Sequence, residues 1–253
     1  MKLALVAVSV LLVFGGIRLP VEHALLLERT QQNLHSAPPL DLSLREQLGQ
    51  LGFVAALGGF RSIAADFLLI RAHVAWERTE WSRVLTLLRQ TTTLQPHAIL
   101  FWDIAAWHMA WNASAAAFND PAQPRLALRI KAQREYFDLG KDFLERGIKN
   151  NPDRPQLYEA LARLYRDKYK DHARAAEFFA KAAEKPGAPS YAKRFSAYEL
   201  SFCNGREQEA YEKLMRLYSI GENERLPTLI SRLKFLEDKL NIPPDQRIPE
   251  SAR

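Results

Sequence analysis

Pro155 to Pro186 reads PQLYEALARLYRDKYKDHARAAEFFAKAAEKP, and this stretch decides the fold. Tyr158, Leu161, Ala162 and Tyr165 recur at i, i+3, i+4 and i+7, one stripe of a helix. Ala175, Phe179 and Ala182 form a second stripe beyond a polar turn. Small residues alternate with large ones, so two helices can pack antiparallel at close range. A hairpin of this kind cannot bury both faces alone, and it calls for neighbours of the same design.

Working outward, the same spacing recurs. One unit reads Trp102-x2-Ala105-Ala106-x2-Met109, followed by Gly140-x3-Leu144-x2-Gly147-x4-Pro152. Before it stand Leu68-x2-Arg71-Ala72-x2-Ala75 and Val84-x3-Leu88-x2-Thr91-x4-Pro96. A fainter unit has Ala197 and Tyr198, then Ala210-x3-Leu214-x2-Leu217. Each Pro follows a second helix, which it cannot continue. This pattern resembles the tetratricopeptide repeat, a helix pair of about 34 residues. The resemblance covers roughly Gly58 to Ser219. It implies an all-α right-handed solenoid of antiparallel helix pairs, a binding scaffold whose ligand it does not name. The segment GGFRSIAADFLLIRAHVAWE, from Gly58, also resembles the opening of repeat proteins anchored in bacterial membranes.

The chain of 253 residues is 47% hydrophobic and 25% charged, ample for a core or a short solenoid. A net charge of +6 suits nucleic acid, anionic lipid or an acidic partner without selecting one. Cys203 stands alone, so no internal disulfide can form. Lys2 precedes an apolar run from Leu3 to Ile17, with no small-residue cleavage pattern after it. Residues 1–19 are therefore expected to be a retained signal anchor. This makes the chain a single-pass membrane protein, expected in a bacterial inner membrane with the repeats outside the cytoplasm. Residues 20–57 are expected to hold a juxtamembrane helix, a linker at Ser36–Pro39 and a short helix over Leu44–Leu57. Ser43 and Glu46 have capping-box spacing at its start. Residues 58–219 carry the repeats, residues 220–240 a capping helix, and residues 241–253 a disordered tail.

The second unit departs from the repeat: Trp102 to Gly140 is about 22 residues too long. Asn119-Asp120-Pro121 stops one helix, and Arg125 to Lys149 reads as one long helix. An extended hairpin with an insert at about residues 113–134 is expected to protrude from the stack. Arg125, Arg129, Lys131 and Arg134 give it a basic face.

No catalytic motif is present: there is no G-x-S-x-G, P-loop or G-x-G-x-x-G. The six histidines show no i, i+4 pair, so no metal site is expected. A non-enzymatic scaffold without cofactor, binding a protein or peptide partner, follows as the expectation. A soluble or exported scaffold is the alternative, as is an RNA- or lipid-binding solenoid using the basic insert. No nucleic-acid partner is expected on the main reading. Repeat geometry implies that the partner groove lies opposite the packing stripe. There stand His73, Trp76, Asp103, Trp107, Trp111, Glu159, Arg163 and Arg166. The family's carboxylate clamps use Lys, Arg and Asn in such a groove. This chain keeps Arg163 and Arg166 but places Asp103 and tryptophans before them, so a mixed aromatic and charged groove fits better.

Overall fold

Small residues, alanine and glycine, set how closely the helices approach where they cross. The computed structural model describes residues 59–249, and all regular secondary structure there is helical. The expected anchor at 1–19 and the elements at 20–57 lie outside the described residues. The chain divides after Phe101 into two compact units.

The first unit shows one helical hairpin, α1 (Arg61–Glu77) and α2 (Trp81–Leu94). Ala65, Leu68, Ala72 and Ala75 of α1 are buried, as are Val84, Leu87, Leu88 and Thr91 of α2. The buried hydroxyls of Thr91 and Thr92 donate to the Leu87 and Leu88 carbonyls, 2.9 and 3.0 Å away, so neither is left unsatisfied. A second apolar stripe on α1, formed by Ile63, Phe67, Ile70 and Val74, is exposed.

The second unit starts inside α3 (Ile99–Trp107). This helix continues through a π-helical turn over His108–Ala113 into α4 (Ser114–Phe118). The arm lies along α5 (Leu126–Asn150), within one residue of the long helix expected at Arg125–Lys149. Two glycines fix the contact. A Cβ on Gly140 would stand 2.7 Å from the Ala110 Cβ and 3.0 Å from the Ala106 carbonyl oxygen. On Gly147 it would stand 2.9 Å from the Trp102 Cβ. Trp102 is 1% exposed and packs on Phe143, with ring centroids 6.3 Å apart. Ala113 and Ser114, placed by the sequence in a protruding insert, are buried, because the arm packs on α5 before its tip.

Pro155 opens α6 (Pro155–Leu164), where its missing N–H costs no intrahelical bond. A second π turn, Tyr165–Tyr169, ends at Lys170, whose φ of 56° reverses the chain. Asp171 then caps α7 (His172–Ala183), accepting from the Arg174 N–H at 2.9 Å. The Tyr165 and Phe178 rings stack 5.4 Å apart across this hairpin. Beyond it come α8 (Tyr191–Leu200), α9 (Glu207–Ile220) and α10 (Pro227–Lys239). Leu200, Leu214, Leu229, Leu233 and Leu236 make their shared core.

The expected disorder from Asn241 onward is corrected through residue 249. Asn241 takes a left-handed φ of 53°, and the Ile242 N–H donates to the Glu237 carbonyl at 2.9 Å. The Ile248 N–H donates to the buried Glu237 carboxylate at 2.8 Å, and the Ile248 side chain is 6% exposed. Ile248, the buried Glu237 and an Arg247–Asp238 ion pair hold the Pro-rich segment back on α10.

Candidate functional site

Alanine packing also leaves space where two helices do not quite close. Ala106 on α3 and Ala160 on α6 lack the bulk to fill the gap between them. A cleft of about 380 Å³ opens there. Its lining includes Asp103, Trp107 and Trp111 from one arm, Leu144 from α5, and Arg163 and Asp167 from the α6 arm. Asp103, Trp107 and Trp111 follow one another at intervals of four, so they form a ridge along one face. Both arms pass into a π turn at the cleft: Trp111 lies in the first, Asp167 in the second. Such turns are frequent at functional sites because their extra residue re-aims the side chains around it.

Trp107 is 47% exposed and meets the His108 ring edge-on at 5.1 Å. It is not a core residue. Trp111 is half-buried, and the Lys168 ammonium sits 5.0 Å from its ring centroid and 5.6 Å from that of Phe137. Burial against these rings lowers the Lys168 ammonium below its ordinary range, while Asp167 opposes the shift. Asp103 lies in the wall of a concavity, where the surrounding protein raises its carboxyl above the ordinary value and Arg163 opposes that.

Two of the expected groove residues belong to the framework instead. Glu159 is 3% exposed; it accepts a hydrogen bond from the Tyr191 hydroxyl at 2.6 Å and pairs with Arg163 at 3.9 Å. It anchors Arg163 from below because α8 covers the face the sequence left open. Arg166 lies behind the cleft wall, paired with the lining carboxylate of Asp167 at 2.7 Å and with the buried Glu199 at 3.9 Å. His73 and Trp76 belong to the first unit, where their rings lie 5.0 Å apart and His73 faces Glu77 at 3.6 Å. Asp167 was missed, although it stands one turn beyond Arg163, a spacing that places both on one helix face.

The basic face of the α5 arm is also partly used. Arg129 lies over the Phe118 ring at 6.0 Å, and Lys131 pairs with Glu135 at 3.7 Å. Arg125 and Arg134 remain exposed. Among the described residues, no group of three His, Cys, Asp or Glu is placed to hold a metal ion, and no helix is long and apolar enough to cross a membrane. In comparisons with known proteins, no family model, no curated protein and no solved structure matches the chain.

Proposed function

We propose that the chain is a membrane-anchored scaffold of tetratricopeptide-like helix pairs. It receives a protein partner in the cleft between α3 and α6 and catalyses no reaction itself. The observation that carries this reading is Trp107. A large indole held half in water beside a cleft stabilises nothing by its outer face, whereas tryptophan and arginine most often dominate binding energy at interfaces. The repeat reading draws support from burial at the expected crossing positions, among them Ala105, Ala106, Ala162, Ala175 and Ala182. The anchor reading rests on the apolar run from Leu3 to Ile17.

A photo-crosslinking amino acid placed at Trp107 of the full-length protein in cells tests the proposal. A discrete adduct is expected from that position and not from the exposed position of Lys149 on α5. Equal, diffuse labelling from both would overturn it. Carbonate-washed membranes should keep the full-length chain; recovery of a shortened, soluble form would sink the anchor.

A further inference from the structure

Of three acids and three bases at or beside the cleft, Asp103 and Lys168 are the two that make no ion pair among the described residues. Arg163 is held by the buried Glu159, and Asp167 by Arg166. Lys168 points its ammonium over the Trp111 and Phe137 rings. Among the described residues Asp103 alone of these carboxylates makes neither an ion pair nor a hydrogen bond through its side chain. It feels Arg163 only at a distance. Four residues along the same face stands Trp107, whose ring is open to solvent.

A carboxylate in a concave wall beside an open indole face is a receptor for a cation. The carboxylate supplies the opposite charge, and the ring supplies a negative face to the same group. We infer that the cleft takes a lysine or arginine side chain of the partner protein, seated between Asp103 and Trp107. This rests on the reading of the cleft as a partner site. The volume is near the lower end of small-molecule pockets, about 300–1,000 Å³, and suits one long side chain with its flanking backbone. The partner's adjoining residues would then cover the outer face of Trp107, which a ligand wholly inside the cleft would leave wet. Raising of the Asp103 carboxyl by its surroundings agrees with this, since a cation would reverse it.

The test uses the full-length chain held in nanodiscs and a random dodecapeptide display library. Selected peptides are expected to share an Arg or Lys. Arg→citrulline or acetylation of the Lys in the peptide should weaken binding about tenfold or more, the scale of a hydrogen bond to a charged group. Asp103→Asn in the protein should weaken it similarly, with the helical circular dichroism unchanged. Winners that fail on Trp107→Ala yet ignore citrulline and Asp103→Asn would overturn the cation and leave the cleft reading standing. Winners indifferent to Trp107→Ala, or no winners at all, would overturn both. Arginine ethyl ester binding as tightly as the peptides would also overturn the inference, because the site would then be one for a small molecule.

Discussion

Gly140 shows how one missing methyl group sets a helix crossing. Glycine within a helix costs about 1 kcal/mol relative to alanine, so Gly140→Ala would stabilise an isolated α5. Here the new Cβ would meet Ala110 at 2.7 Å and a backbone carbonyl at 3.0 Å. Overpacking of this kind costs about 1–3 kcal/mol. The expected sum in urea unfolding is a loss of up to about 2 kcal/mol, and Ala110→Gly in the same chain should recover part of it. A net gain of about 1 kcal/mol, the helix-propensity benefit with no packing cost, would mean that the arm does not lie on α5 as described. Tryptophans divide in the same way. Trp102→Ala should cost about 3–5 kcal/mol, whereas Trp107→Ala should barely move the melting temperature. Asp103 carries a sign of its own. Its folded carboxyl is raised, so the folded state holds its proton more tightly than the unfolded state does, and stability falls as pH rises through the interval above 3.8. Asp103→Asn should therefore melt higher than the parent at neutral pH and lose that advantage in acid. A lower melting temperature at neutral pH would contradict this.

Among the elements, α9 and α10 are tied at their ends by charge. Lys239 donates to Glu207 at 2.6 Å, and this contact, with backbone N–H groups at the start of α9, holds the Glu207 carboxyl at about 2 rather than 4.5. The linkage is present above the ordinary carboxylate range and is lost as pH falls from about 4.5 to about 2. Carboxyl-detected NMR should find Glu207 titrating near that lower value, and Lys239→Gln should move it upward; an unchanged titration would break the assignment. The helices themselves were legible because burial follows the helical period: Tyr158, Leu161, Ala162 and Tyr165 are all buried as their spacing requires. The π turns were not, since His108–Ala113 is composed of residues that suit an ordinary helix equally well. Nor could the stripe reveal that Tyr191, 32 residues on, would cover Glu159. Ile248, a single apolar residue among prolines, has no period to read.

At the scale of the molecule, the first unit leaves a surface unfinished. Ile63, Phe67, Ile70 and Val74 follow at intervals of four, three and four on α1, facing away from α2, and all are exposed. A helix apolar on two faces belongs between neighbours, and an open apolar patch of this kind invites association. A chain beginning at Gly59 should self-associate in sedimentation velocity, and Phe67→Glu with Ile70→Lys should return it to monomer. Unchanged sedimentation in that double variant would clear the stripe. The expected helix over Leu44–Leu57 directly precedes it. A chain beginning at Leu40 and remaining monomeric with the stripe intact would show that this segment is enough to cover it. Composition and repeat spacing reached this far, to helix pairs and their inner faces. The spacing also placed Asp103, Trp107, Trp111 and Arg163 on one side of the packing stripes, but the cleft they line with Leu144 and Asp167 is built from three segments, and that arrangement has no linear signature.

The π turn at His108–Ala113 also bears on chain length. A π turn holds one residue more than the α-helical turn it replaces, while Ala106 before it and Phe118 beyond it both keep their contacts along α5. The surplus is absorbed locally, and the two ends stay in phase. Deleting Asn112 should thus convert the turn to ordinary helix, retain most of the melting temperature and reshape only the wall that carries Trp111. Deleting Ala117, in regular helix, would swing Phe118 by about 100° and loosen the tip. In this arm, tolerance to losing one codon is expected to be confined to the turn that builds the cleft, so its shape could change in a single genetic step without loss of the fold.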